Sequence, residues 1–322
     1  MKGLWRAREA STVAILAVEI LFFTWYLWPE AGRPHPFLNL GNVLLIFKYS
    51  SIYGIAAIGA AIVIISGGLD LAPGAVIALT TVVTGYCFVQ AQWSLAPSIL
   101  AGLVVGLTSG ALSSWLVVRV GITPFIATLG VMGIARGAAY VVTEARYYDL
   151  SARLPRDWRI GGVSIDWAGP IIMIGLAAVF QVLMRRFQWG RSIFAVGGNE
   201  TAAVFSGIRV GRVKTSAYLI AGLLASISGV VLAIVQGQGK ADLANGYELD
   251  IIASAVVGGT SLSGGRGSVA GAVLGALIFG VLRNALPQIP GATFYDRLIV
   301  GVAVIGIVVM DRTIGSRGSK VA

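Results

Sequence analysis

Tyr49 to Gln92 reads YSSIYGIAAIGAAIVIISGGLDLAPGAVIALTTVVTGYCFVQAQ, and apart from Asp70 it contains no charged residue. A hydrocarbon layer of about 30 Å needs about 20 apolar residues at 1.5 Å each, so this stretch predicts two spans, 49–66 and 72–92, joined by a glycine-rich junction. The same count applied outward predicts further spans at 11–29, 95–118, 122–143, 168–184, 215–236, 248–262, 267–285 and 295–310. The fold expected is therefore all-α, a polytopic membrane protein of about ten transmembrane helices forming a single domain over 1–322. The eighth span is short and rich in small residues, IIASAVVGGTSLSGGRGS, which predicts a broken or re-entrant segment shielded by its neighbours.

The whole composition agrees with that stretch. The 322 residues are 57% hydrophobic and 12% charged, with a mean hydropathy of +0.84. A soluble globular chain carries about a quarter charged residues, so a charged coat around a buried core is excluded. The 43 glycines read as packing residues, because small side chains let membrane helices approach closely. Lys2, Arg6 and Arg8 precede the first apolar run and imitate a signal peptide. The run closes on Phe22, Phe23, Trp25, Tyr26 and Trp28, an aromatic belt in place of a small-residue cleavage site, so an uncleaved first helix is expected.

The formal net charge is +10. No run of Lys and Arg interleaved with aromatics is present, which argues against nucleic acid. With ten spans both termini share a side, and the excess of basic residues places them in the cytoplasm. The cytoplasmic pieces then hold 14 Lys and Arg, including Arg119, Arg185, Arg186, Arg191, Arg209, Arg212 and Lys214, against nine outside. Lys48, Lys240 and Arg283 are among the nine. Two long loops follow: an outer loop over 144–167, and a cytoplasmic loop over 185–214. In the second, Asn199 reads as an N-cap, Glu200 to Ala203 as a short helix outside the membrane, and Gly207 as its stop.

Cys87 is the single cysteine and His35 the single histidine, so neither a metal site nor Ser/His/Asp catalysis has its usual parts. Cys87 reads as a lipid-facing or packing residue, and His35, in GRPHPF, as exposed. A weak internal echo links GGLDLAPG, Gly67 to Gly74, with GGTSLSGG, Gly258 to Gly265, in the pattern GGxxLxxG. It marks Gly67, Gly68, Gly74, Gly258, Gly259, Gly264 and Gly265 as structural junctions of the kind found in transporter repeats.

Ionisable groups inside lipid are functional candidates by default. Arg136 is read as pairing with a carboxylate or helix-end carbonyls, Asp70 as capping the helix that begins near Ala72, and Glu248 and Asp250 as anchors at the outer end of a span. Only Glu19 is a mid-span carboxylate, which disfavours an ion-coupled secondary transporter. No filter or charged ring suggests a channel, and no acid/base constellation suggests an enzyme. The chain has no GxxxxGK[ST] loop, and GQGKA at Gly237 to Ala241 lacks both the first glycine and the magnesium-binding hydroxyl. Any ATP is expected to be hydrolysed by a partner.

Five strings carry a family resemblance: IISGGLDLAPGA, ITPFIATLGVMGIARGAAYVVT, GRSIFAVGGNETAAVFSGIRV, YELDIIASAVVGGTSLSGGRGSVAGAVLGALIFGVLRNAL and YDRLIVGVAVIGIVV. They resemble, in family order, the permease subunits of bacterial ATP-binding-cassette importers for monosaccharides of the ribose, galactose, xylose and autoinducer-2 type. The resemblance implies a ten-helix inner-membrane subunit paired with a second copy or paralogue. It also implies an ATPase with two cassettes that carries the ATP and magnesium, a periplasmic solute-binding protein, and no cofactor on this chain. In such permeases the GGNETAAVFSGI loop is expected to hold the coupling helix, which assigns Asn199, Glu200, Ala202, Ala203, Ser206, Gly207 and Ile208 to ATPase coupling. Arg136 and Asn284 match family positions and are candidates for the translocation pathway. The fourth span departs from the pattern: SGALSSWLVV carries Ala111 and Ser113 where relatives often have Asn-Gly. A permease for branched-chain amino acids shares the architecture; GGNETAA and YELDIIASAV favour sugar.

Overall fold

The computed structural model describes residues 2–28, 35–144, 146–154, 159–160 and 163–289, together with 291, 295, 298, 301 and 302. Eleven α-helices are described: α1 Lys2–Tyr26, α2 Leu40–Ile65, α3 Pro73–Gly85, α4 Leu95–Ser114, α5 Pro124–Thr143, α6 Ala168–Arg186, α7 Gln188–Gly198, α8 Glu200–Phe205, α9 Val210–Gln236, α10 Tyr247–Val257 and α11 Val269–Ala285. α3 and α4 each run on into a π-helical turn, Tyr86–Gln90 and Trp115–Val120. Among the described residues seven helices are long and apolar enough to cross a membrane. The molecule is an all-α, multi-pass membrane protein.

The count of ten meets the described helices unevenly. α1 contributes a shorter apolar stretch, Ala10–Tyr26, and α10 has only 11 residues, about 16 Å of helix. Most of the tenth span, 295–310, lies outside the described residues. The second span needs a correction. It begins at Leu40, nine residues before the expected Tyr49, so Lys48 sits in α2 and not in an outer loop. A window that stops at any charge cuts such a helix short, whereas a long aliphatic stem lets a lysine stay in the helix while its ammonium seeks water.

α2 is the axis. Nearly nine-tenths of its apolar window is buried, against 22% for α4 and for α6, and it packs on α6, α9, α10 and α11. Its Ile-Ala-Gly pattern explains this position: isoleucines fill space while Gly54 and Gly59 admit Met173 of α6 and the Ala221 backbone of α9. Around it, α4 to α6 turn Leu100, Val104, Ile126, Ile134, Val141, Ile174 and Val182 outward, an apolar girdle suited to hydrocarbon.

A close glycine-lined crossing joins α4 to α9. Gly102, Gly106 and Gly110 recur every fourth residue on α4, one stripe of the helix. A Cβ on Gly106 would fall on the carbonyl of Gly222, and one on Gly222 would fall on the carbonyl of Gly106. This small-xxx-small stripe was legible in the sequence and is absent from the site residues chosen there. Gly106→Leu is expected to cost about 2–3 kcal/mol by overpacking. Val104→Ala, on the outward face, should stay within about 0.5 kcal/mol. Thermal unfolding of both variants in nanodiscs measures the difference.

At one end of the bundle β1 Tyr147–Asp149 pairs antiparallel with β4 Gln238–Lys240, and a second ribbon joins β2 Arg159–Ile160 to β3 Val163–Ser164. The 144–167 loop is thus tied to the segment after α9. Arg153 stacks on Phe88, 4.5 Å from the ring centroid, and donates to its carbonyl. On Asp149 the Ser151 hydroxyl and amide donate to the carboxylate and hold it below its ordinary pKa.

Candidate functional site

The opposite end of the bundle gathers three glycine-rich junctions around a short helix. Asn199 is extended, with φ −160° and ψ 103°, and its side chain accepts the Ala202 amide at 2.9 Å, so α8 starts where the capping reading put it. α8 ends through two bonds, Gly207 N–H to Val204 at 2.9 Å and Ile208 N–H to Ala203 at 3.0 Å. The second closes across Gly207, whose φ of +79° suits a residue without a Cβ. Glu200, in the first turn, pairs with Lys214 of α9 at 2.6 Å. Trp189 of α7 donates to Ser216 of α9 at 2.8 Å. The loop is therefore fastened at both ends to the helix that follows it.

Of the residues assigned to coupling, Asn199, Glu200, Ala202, Ser206 and Gly207 are exposed, Ile208 is half-buried, and Ala203 is buried against the core. Val204 and Phe205, outside that assignment, are 56% and 86% exposed. Their signal was present: two large apolar residues in a helix otherwise made of small and polar ones.

α7 ends at Gly198, beside the end of α2. A Cβ on Gly197 would strike the Ile65 carbonyl, the same oxygen that accepts the Gly265 amide at 2.9 Å. Gly264 and Gly67 adopt φ of +78° and +82°, and a Cβ on Gly264 would lie 3.1 Å from the Gly67 Cα. The α2–α3 junction, the α7–α8 junction and the α10–α11 junction thus meet backbone to backbone.

The internal echo has a structural counterpart in a shifted register. α2 ends with Gly67 N–H to Ile64 and Gly68 N–H to Val63, whereas α10 ends with Gly259 N–H to Val256 and Thr260 N–H to Ala255. Gly67 therefore plays the part of Gly259, not of Gly258. Gly258 instead packs on Gly271, and Gly74 on Glu248 and the Ala244 carbonyl.

Three of the polar residues singled out within the bundle, Arg136, Asn284 and Asp70, bond to protein groups. Arg136 donates to the carbonyls of Ala241 and Leu243 at 2.7 and 2.8 Å and of Ala244 at 3.4 Å. These oxygens belong to the turn between β4 and α10, so the partners are carbonyls, as one half of the Arg136 reading has it, but carbonyls ahead of a helix and not at a helix end. Asn284 exchanges side-chain bonds with Asn42 at 3.0 and 2.9 Å, joining the end of α11 to the start of α2. Asp70 accepts the Ala72 amide at 2.9 Å just before α3.

Asp250 lies in the first turn of α10 and Arg283 in the last turn of α11. Asp250 is fully buried in α10 and pairs with Arg283 of α11 at 2.6 Å, beside the Tyr53–Tyr247 ring contact at 4.6 Å. The pair spans 33 residues of sequence, so neither partner announces the other locally. His35 is not simply exposed. Its Nδ1 accepts the amides of Phe37 and Leu38 at 3.2 and 3.0 Å, and its Nε2 lies 3.0 Å from the Thr24 carbonyl, bracing the turn into α2. Cys87 is buried.

A family described as branched-chain amino acid transport system, permease component, matches residues 42–308. The chain belongs to this permease family. The permease is 34% identical to a probable ABC transporter permease protein, YphD, of Escherichia coli K12 over 98% of this chain and 93% of the relative. It is 35% identical to the ribose import permease protein RbsC of Bacillus subtilis 168 over 86% of each. It is 32% identical to the D-allose transport system permease protein AlsC of Escherichia coli K12, over 94% of the permease and 91% of the relative. No solved structure matches it.

Proposed function

We propose that this permease is the membrane subunit of an ABC importer that moves a monosaccharide or related small polar solute across the bacterial inner membrane. The observation that carries the substrate class is the ribose import and D-allose transport named for relatives that match 86% or more of the chain. In this reading ten spans place both termini in the cytoplasm, and the subunit works beside a second copy or paralogue. A periplasmic binding protein delivers solute at the end of the bundle that bears the β1–β4 ribbon. A partner ATPase with two cassettes holds ATP and magnesium and docks at the α8 end.

The mechanism follows from how α8 is mounted. ATP-driven movement of the docked helix is transmitted by the Glu200–Lys214 pair to α9, and by the Gly197–Ile65 and Gly265–Ile65 contacts to the α2–α3 and α10–α11 hairpins. Both hairpins contain breaks at glycine, where a helix can tilt without unpicking its hydrogen bonds, and alternating access needs rigid bodies joined at such points.

Vesicles containing the permease, its ATPase and its binding protein should accumulate labelled ribose or a related sugar only when ATP is inside. Accumulation that needs no ATPase and collapses with a protonophore would support an ion-coupled transporter instead. The family description favours a second substrate class, and uptake of leucine but not of sugars by the same vesicles would establish it.

A further inference from the structure

Phe205 is 86% exposed, more than any other large hydrophobic residue among those described as exposed, and Val204 beside it is 56% exposed. Neither can retreat easily. α8 is capped by Asn199, closed through Gly207, pinned to α9 by Glu200 and seated on the core through the buried Ala203. The phenyl ring is thus held away from the body of the protein on a braced support, and an apolar ring left in water gains free energy from any surface that covers it. The loop that carries it, 185–214, contains six basic residues and one acid. Arg185, Arg186, Arg191, Arg209 and Arg212 are all exposed, and the single acid, Glu200, is already paired with Lys214.

Two kinds of surface could cover an apolar knob among arginines: a protein cleft or an anionic membrane. The surroundings of Phe205 favour the cleft. Asn199, Glu200, Thr201, Ser206 and Gly207 are exposed around it, so α8 lacks the broad apolar face of a helix that lies in a lipid interface. α9 has 27 residues, about 40 Å, and exceeds the hydrocarbon thickness by about 10 Å. Its first turns, with Lys214 and the attached α8, can stand clear of the membrane.

We infer that Phe205, supported by Val204, is the anchor by which the 185–214 loop docks on its protein partner, and that the receiving cleft has an apolar floor and a rim of carboxylates. This rests on the reading that the partner is the importer's ATPase. Hot spots of this kind are aromatic side chains that fill a desolvated pocket, while the surrounding charges set the rate of association and the orientation.

Cys87 is the only cysteine and is buried, so a Cys87→Ala background carrying Phe205→Cys gives one reporter thiol. In nanodiscs its reaction with a bulky, membrane-impermeant maleimide should be equally fast in phosphatidylcholine and in phosphatidylglycerol. It should slow at least about tenfold when the purified two-cassette ATPase is added. Separately, Phe205→Asp and the pair Arg209→Glu with Arg212→Glu should each weaken ATPase binding at least about tenfold, and Phe205→Leu should retain it. The charge-reversal loss should shrink in 0.5 M salt, where screening is within about 4 Å. Protection by phosphatidylglycerol alone would overturn the proposal in favour of a membrane contact. ATPase binding that leaves the thiol reactive would overturn the anchor while keeping the permease reading, whereas a failure of the unmodified chain to bind the ATPase would overturn both.

Discussion

Gly197→Val is expected to abolish ATP-driven uptake and to destabilise the folded protein by about 3 kcal/mol, the upper part of the range for overpacking. The added Cβ would strike the Ile65 carbonyl and crowd the Gly265 amide. Both are backbone atoms, so no rotamer change relieves the clash. One of the three junctions must separate, and the Gly265–Ile65 hydrogen bond is the element most directly in the way. Gly198→Ala is the internal control, because a Cβ there would meet nothing nearer than the Gly265 Cα at 4.0 Å. Uptake in vesicles, with thermal unfolding of both variants in nanodiscs, separates the two residues. Equal effects at 197 and 198 would show that the backbone seam does not transmit movement.

Asp250→Ala is expected to cost about 3–5 kcal/mol, because removing one partner of a buried ion pair leaves the other charge uncompensated. Asp250 has 1% side-chain exposure and Arg283 28%, so the stranded guanidinium keeps some access to water and the lower half of that range is the better expectation. The double variant Asp250→Ala with Arg283→Met should recover much of the loss, since it removes the charge along with its partner. A thermal unfolding series in nanodiscs that gives additive single effects would exclude a direct pair between α10 and α11.

Several features were legible from local sequence because their causes are local. A span announces itself by 20 uncharged positions, and the helix starts at Leu95, Pro124 and Ala168 fall within a few residues of the expected ones. The Asn199 cap and the Gly207 stop needed only the bonding habits of Asn and Gly over nine residues. Of the residues assigned to ATPase coupling, Ala203 and Ile208 lie on the inner side of α8, which the local pattern did not show. Which side of a six-residue helix faces the protein depends on what lies beneath it, and here that is the core cluster holding Ala203 and Ile208. The exposed face passed to Phe205 and Val204.

By itself the sequence determined the solvent. With 57% hydrophobic and 12% charged residues, no arrangement of this chain can present a charged coat to water, and the length of each apolar window then follows from the thickness of the lipid. It also determined where helices break, because glycine pairs and caps act within one turn. Tertiary structure alone decided which backbone meets which: Ile65 with Gly197 and Gly265, Gly106 with Gly222, Arg136 with the carbonyls after β4, Asp250 with Arg283. Those contacts join segments tens to well over a hundred residues apart. A glycine that admits a neighbouring carbonyl looks, in the sequence, the same as one that faces open space, as Gly130, Gly133 and Gly137 do. Only the packing of the helices against one another tells them apart.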